Sequence, residues 1–221
     1  MTTRRVPDDA AGRAEAIDAL RNGGVVAIPT DTVYGIGVAL DTPGGIERLF
    51  AAKRRPPDKA IALLVADLEQ AEQIGAFTPA ARALASAFWP GGLTLVVPRL
   101  TDRPLPPALT GGDLAPGAIP TVGLRVPDHE APRALARALG PLPTTSANRS
   151  GEPEARDADE IERLLGGAID LILDGGPARG GPASTVVVVT GAEPRLLRVG
   201  AIPAGDIERC LASAGLPSVG R

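Results

Sequence analysis

The stretch Val25-Val26-Ala27-Ile28-Pro29-Thr30-Asp31-Thr32-Val33-Tyr34-Gly35 decides the fold class. Its first five residues are apolar and β-prone and read as a buried strand. The Thr/Asp/Gly loop behind it therefore lies at a strand end, where α/β folds tend to hold ligands. Upstream, Ala10–Arg21 carries Ala, Ile17 and Leu20 on one helical face, and Asn22-Gly23-Gly24 supplies the stop. Downstream, a short strand near Ile36–Leu40 leads to a helix over Gly45–Lys53. The alternation continues with strands at Ile61–Ala66, Leu93–Val97, Thr121–Val126, Leu171–Leu173, Val186–Thr190 and Leu196–Val199. Helical patterns fall between them at Pro79–Phe88, Ala131–Leu139, Ala158–Leu165 and Ala204–Ala212. Interleaved strands and helices make the chain α/β. Arg99–Pro120, rich in Pro, Gly and Leu, reads either as a mobile flap over a site or as a surface loop. The residues after Leu216 read as a frayed, flexible tail.

At 221 residues the chain fits one domain over 1–221 with a core at about 10–205. Hydrophobic residues make up 44% of it, enough for a sizeable core, whereas aromatics are only 2%. Aromatic stacking is thus not its main means of gripping bases. A net charge of −3 disfavours a generally basic nucleic-acid binder, although a local basic groove stays open. Cys210 and His129 are single representatives of their types, which excludes a disulfide framework and leaves a tetrahedral zinc site short of ligands. No basic-then-apolar leader and no membrane-length apolar run is visible, so the expectation is a cytoplasmic protein with no membrane contact.

Two segments carry the chemistry. Lys53-Arg54-Arg55-Pro56-Pro57-Asp58-Lys59 sets several cations on a turn that prolines keep out of regular helix. Thr144-Thr145-Ser146-Ala147-Asn148 offers hydroxyls and an amide after a short apolar run. Cations with neutral donors suit a polyphosphate beside a small polar molecule. No Gly-x4-Gly-Lys-Ser/Thr loop is present, so the P-loop is excluded. Each candidate also has a plain structural reading. Lys53, Arg55 and Lys59 suit a solvated helix end facing the macrodipole, and Ser146 with Asn148 suits an Asx or ST turn. Arg125 ends a strand on which it alternates with Gly123 and Thr121, and in isolation it is as readily structural, as is Arg198. Ser184-Thr185 follows the Gly-rich run from Asp174 to Pro182, which either lets backbone approach a ligand or simply connects. His129, between Asp128 and Glu130, reads as a surface helix start. With no Gly-x-Ser-x-Gly elbow, hydrolysis through a covalent intermediate is disfavoured.

Six segments in order resemble the YrdC/Sua5 family of L-threonylcarbamoyladenylate synthases. They are Pro29–Gly35, the Lys53-x-Arg55-Pro56 turn, Trp89-Pro90-Gly91-Gly92-Leu93-Thr94, Thr121–Pro127, Thr144–Asn148 with Ser150-Gly151, and Ser184-Thr185-Val186 before Arg198. The resemblance implies a twisted mixed α/β sheet with flanking helices around a concave, positively lined cavity. It implies conversion of L-threonine, bicarbonate and ATP to threonylcarbamoyl-AMP and pyrophosphate, with Mg²⁺ accompanying ATP. Carried over by position, Thr32, Arg125, Thr144 and Ser184 would hold threonine. Lys53, Arg55, Lys59, Thr121, Ser146, Asn148 and Arg198 would surround the nucleotide, Lys53 and Arg55 acting in catalysis. The extra C-terminal domain of the longer family type is not seen here, so a threonylcarbamoyl transferase complex is the implied partner for t6A modification of tRNA, together with a weak tRNA contact.

Four positions depart from the family pattern: Lys59, Leu64, Glu154 and Val188 stand where other members carry Asn, His, Ser and Asp, and the Lys59 version resembles the short bacterial branch. Two alternatives stay open, an RNA-binding module without catalysis and a carbamoyl-adenylate-forming domain that uses carbamoyl phosphate.

Overall fold

The computed structural model describes residues 2–54, 61–100, 105–109, 119–149, 151–179 and 181–220. Ten strands among them join in a single mixed sheet. In chain order they are β1 (Arg4–Pro7), β2 (Val26–Ile28), β3 (Gly35–Gly37), β4 (Ala62–Leu64), β5 (Leu93–Pro98), β6 (Thr121–Arg125), β7 (Leu142–Ser146), β8 (Leu171–Asp174), β9 (Thr185–Val188) and β10 (Arg195–Arg198). Their spatial order is β1-β8-β2-β3-β7-β4-β6-β5-β9-β10. Pairing is parallel at β1/β8, β2/β8, β4/β6 and β5/β9 and antiparallel at the other junctions. The helices are α1 (Ala10–Arg21), α2 (Gly45–Lys53), α3 (Leu68–Glu72), α4 (Pro79–Phe88), α5 (Glu130–Leu139), α6 (Ala158–Leu165) and α7 (Ala204–Ser213).

Local chemistry sets the helix starts. Asp9, Asp67, Thr78 and Asp157 each cap a helix by accepting the amide three residues on. His129 caps α5 with its ring nitrogen, which accepts from Ala131 N at 3.2 Å. It is half-buried rather than the surface residue expected. α2 ends at Arg54, whose φ of 51° is left-handed, so the chain turns before the prolines, which lie outside the described residues.

Strand alternation sorts the side chains into two faces. Val25, Ala27, Ile36, Leu63, Leu95, Val97, Val122, Leu124 and Ile172 share one core with apolar residues of α2, α4, α6 and α7. Val26, Ile28, Leu64, Leu142, Leu171 and Leu173 share the other with Ala16 and Leu20 of α1 and Ala131, Leu135 and Ala136 of α5.

Several expectations are corrected. β1 and β7 are strands that were not anticipated, and β7 takes in Thr144–Ser146, read from sequence as a strand-end loop. β3 stops at Gly37 rather than Leu40. Within the segment Arg99–Pro120, the described residues 105–109 are anchored: Leu109 is fully buried, and Ala108 O accepts from Ile61 N at 3.0 Å. The tail after Leu216 is not frayed through residue 220. Leu216 and Val219 pack on the core, and Gly220 pairs with the start of β10, donating to Pro194 O at 2.8 Å and accepting from Leu196 N at 2.9 Å. Among the described residues no helix is long and apolar enough to cross a membrane.

Candidate active site

The second sheet face does not stay covered. From β4 to β10 its alternate residues line a cavity of about 600 Å³, together with the β2–β3 loop and the end of β7. The strand registers lay the floor in two rows. Arg198 opposes Val186 and Val186 opposes Thr94; one step beyond the Leu95–Leu124 pair, Thr94 meets Arg125, which opposes Leu64. Two residues along, Arg195, Val188, Val96 and Gly123 follow in register, with Ala62 and Thr144 completing the row. The first row carries two arginines and Thr94, with Val186 and Leu64 as its apolar members. The second is small and apolar, with one arginine at its rim.

Arg125 is the best-anchored residue of the site. Its Nε donates to Gly91 O at 3.0 Å, Nη1 to Thr32 Oγ1 at 3.0 Å and Nη2 to Asp31 Oδ1 at 2.6 Å. Asp31 and Thr32 lie in the loop before β3, three strand positions from β6, so the sheet must curl for this contact to form. The loop is itself tied: Thr30 Oγ1 donates to Val33 O at 2.6 Å and accepts from Thr32 N at 3.2 Å. Tyr34 is fully buried, and its hydroxyl donates to Gly176 O at 2.6 Å while accepting Gly175 N at 3.0 Å. Burial pulls the Arg125 guanidinium below the usual arginine range; Asp31 opposes that shift, and the charge of Arg198 adds to it. Two like charges share this end of the cavity, and an anion placed there would relieve both.

Arg198 is fixed from one side. Its Nε and Nη2 donate to Ser184 O at 3.0 and 2.8 Å, while Ser184 Oγ lies 2.8 Å from Thr94 Oγ1. Thr32, Arg125, Thr144 and Ser184, expected around a small polar ligand, all line the one cavity, and each is at least nine-tenths buried. Thr121, Ser146 and Arg198 line it as well.

Lys53 is 2% exposed and approaches from behind β7. Its ammonium donates to Ser146 O and to Asn148 Oδ1, the latter at 2.7 Å. Ser146 Oγ also donates to Asn148 Oδ1 at 2.7 Å, so the Lys53 and Thr144–Asn148 segments do meet. Neither Lys53 nor Asn148 is part of the cavity wall; their polar atoms support Ser146, which is. Arg55 and Lys59 lie outside the described residues. Of the departures, Leu64, Glu154 and Val188 all sit on the wall.

Sequence reasoning did not single out Asp31, Thr94 or Arg195 as site residues. Asp31 and Thr94 stood inside quoted motifs, and their chemistry could have marked them; their partners, 94 and 90 residues away, could not be read. A shallower hollow of about 350 Å³ beside Asp128, His129, Glu130, Arg133 and Arg179 shares no residue with this cavity.

A family model for Sua5, YciO and YrdC proteins, described as telomere recombination, matches residues 18–200. Threonylcarbamoyl-AMP synthase of Pyrococcus abyssi is 38% identical over 194 residues, 87% of this chain and 55% of its own length. A putative threonylcarbamoyl-AMP synthase of Mycobacterium leprae is 40% identical over 93% of this chain and 90% of its own. The chain thus spans about half of the first relative and nearly all of the second. Among solved structures, P. abyssi Sua5 complexed with L-threonine superposes with a TM-score of 0.84 at 34% identity, covering 99% of this chain and 62% of that one.

Proposed function

The chain belongs to the Sua5/YciO/YrdC family, and on that premise we propose that it is a threonylcarbamoyl-AMP synthase. It joins L-threonine, bicarbonate and ATP into threonylcarbamoyl-AMP and releases pyrophosphate and water. The observation that carries this reading is the cationic row of the cavity, where Arg125 and Arg198 flank Thr94 and Ser184. A small zwitterionic amino acid with a hydroxyl side chain matches that set. The same ligand is named for P. abyssi Sua5.

Threonine lies with its carboxylate toward Arg125 and its polar groups among Thr32, Thr144 and Ser184. Its neutral amine attacks the carbon of CO2, derived from bicarbonate by loss of hydroxide; a C–N bond forms and the nitrogen gives up a proton. A carbamate oxygen then attacks the α-phosphorus, and the bond to the β-phosphate breaks as pyrophosphate leaves. Thr121, Ser146 and Arg198 flank the nucleotide from the wall, Lys53 and Asn148 hold Ser146 from behind, and Arg55 and Lys59 join them by family position. Bringing two anions in line and offsetting their repulsion is most of the catalytic task.

Mg²⁺ enters with ATP as part of the substrate. Among the described residues no group of three His, Cys, Asp or Glu could hold a metal ion, and Asp31 is committed to Arg125. These residues do not fit a resident metal, whereas an ion held by phosphates and water suits a hard cation that keeps its waters. The product would pass to a threonylcarbamoyl transferase complex acting on tRNA.

Pyrophosphate release from ATP, with L-threonine and bicarbonate omitted in turn, tests the proposal. Release that needs all three, with a new adenylate by mass spectrometry, supports it. Release that ignores threonine and needs carbamoyl phosphate replaces it with carbamoyl-adenylate formation. No release from folded protein, with salt-dependent RNA binding, moves the reading to a binding module.

A further inference from the structure

The floor of the cavity carries a buried chain of hydrogen bonds. Arg198 Nη2 donates to Ser184 Oγ at 3.2 Å, and Ser184 Oγ lies 2.8 Å from Thr94 Oγ1. Thr94 is 6% exposed and Ser184 7%, and both line the cavity. Their backbones are held independently of the hydroxyls. Thr94 pairs with Val186 across β5 and β9, Thr185 N donates to Gly92 O at 2.9 Å, and Ser184 O takes Nε and Nη2 of Arg198. Thr94 Cγ2 is turned toward Gly123, where a Cβ would meet it at 3.7 Å. With its methyl toward β6 and its hydroxyl toward Ser184, the branched side chain is confined to one rotamer. What stays adjustable is the direction of each O–H.

Proton counting sets that direction. Arginine only donates, so Ser184 Oγ accepts from Arg198. Ser184 then gives its proton to Thr94 Oγ1, and Thr94 gives its own to the cavity, each donation strengthening the next. The reverse polarity between the hydroxyls would turn lone pairs of Thr94 toward the site beside Arg125, which an anion there opposes. Thr94 stands across from Arg125, one step beyond the Leu95–Leu124 pair, and directly opposed residues have Cβ atoms about 5 Å apart. Arg125 already donates to Gly91 O, Thr32 Oγ1 and Asp31 Oδ1. The N–H groups it has left do not fill the lone pairs of a carboxylate.

We propose that Thr94 is a further substrate-binding residue, whose hydroxyl donates to the amino acid carboxylate held by Arg125. Arg198 polarises that proton through Ser184. The assignment rests on the synthase reading for the identity of its ligand. A hydroxyl suits the place, since it adds a donor without adding a third positive charge to an end of the cavity that already holds two.

Calorimetric titration of wild type, Thr94→Val, Thr94→Ser and Ser184→Ala with L-threonine tests the assignment, with the KM for ATP as a second reading. Valine keeps the shape of the side chain and its contact over Gly123, so Thr94→Val should fold, which its melting curve checks. It should weaken threonine binding about tenfold. Thr94→Ser should keep most of the affinity, and the KM for ATP should stay within about twofold in both. Ser184→Ala should lose less than Thr94→Val, because the terminal proton survives. Unchanged threonine affinity in folded Thr94→Val overturns the assignment. An equal loss in Thr94→Ser also overturns it, tracing the effect to side-chain shape, as does a larger loss in Ser184→Ala, which would put the donor on Ser184. Threonine binding that depends on the Thr94 hydroxyl, in a protein that makes no adenylate, keeps the assignment and removes the synthase reading instead.

Discussion

Over β8, β2 and β7 the second sheet face carries Val26, Ile28, Leu142, Leu171 and Leu173 and is sealed by α1 and α5. From β4 to β10 the same face carries Thr94, Thr121, Gly123 and Arg125 and is open. Leu64 marks the seam, since it belongs to the α5 core and to the cavity wall at once. Backbone geometry does not separate the two halves, because one continuous sheet runs through both. Every second side chain does. The sealed half is apolar throughout, whereas the open half sets hydroxyls, glycine and arginines among Val96, Val186 and Val188, a face that a polar ligand completes. Coverage is thus decided two residues at a time.

The largest effect should come from breaking the open half at its anchor. Arg125→Met leaves Asp31 buried and unpaired, which should cost about 3–5 kcal/mol of stability and abolish threonine binding. Denaturant melts and calorimetry check both. Adding Asp31→Asn should recover stability without recovering binding, which separates anchoring from recognition. Lys53→Ala should lower kcat by about 10²–10³, or about 3–4 kcal/mol of transition-state stabilisation; full activity in the folded variant would remove Lys53 from the reaction. In the sealed half the effect should fall on stability alone. Leu135→Ala should cost about 3 kcal/mol, read as a lower unfolding midpoint, with threonine affinity of the folded protein unchanged.

Tyr34 links the halves, and its effect depends on pH. Burial holds its phenol up to about 12 in the folded chain, against 10 in the unfolded one. Below that window both states are neutral and the contribution is complete. Inside it the unfolded chain ionises and the folded one does not, so stability falls as pH rises, by about 3 kcal/mol in all. Melts of wild type against Tyr34→Phe should show that slope only in wild type. The smallest change concerns the floor. A Cβ at Gly123 would meet Ala62 Cβ at 3.6 Å, an ordinary contact, so packing does not demand glycine there. Gly123→Ala should therefore melt like wild type yet bind ligand about tenfold more weakly, because the methyl enters the cavity.

Sequence showed the helices well because their signals are local. α2 and α4 have the bounds read from periodicity, and α4 has its cap, Thr78, immediately before it. β1 was invisible because only Val6 of Arg4–Pro7 is buried, and its strand character comes from pairing with β8 far along the chain. β7 was hidden for the opposite reason. Its Thr144, Thr145 and Ser146 are polar because they face a cavity, and polarity reads as loop. The docked tail rests on Leu216 and Val219, two apolar residues too isolated among Pro, Ser and Gly to form a pattern. At the site, residue types were legible and partnerships were not. Arg125 stood out, but that Asp31 would hold it followed only from a curl of the sheet.

The position of β8 also matters for synthesis on the ribosome. β1 and β2 are the first strands to emerge, yet they are not neighbours; β8 fills the slot between them. Until Leu171–Asp174 arrives, the early strands wait with unpaired backbone on facing edges, an invitation to association with other nascent chains. The strand acts as a keystone laid late, so a chain truncated before it should be retained by chaperones, not released as a smaller folded protein.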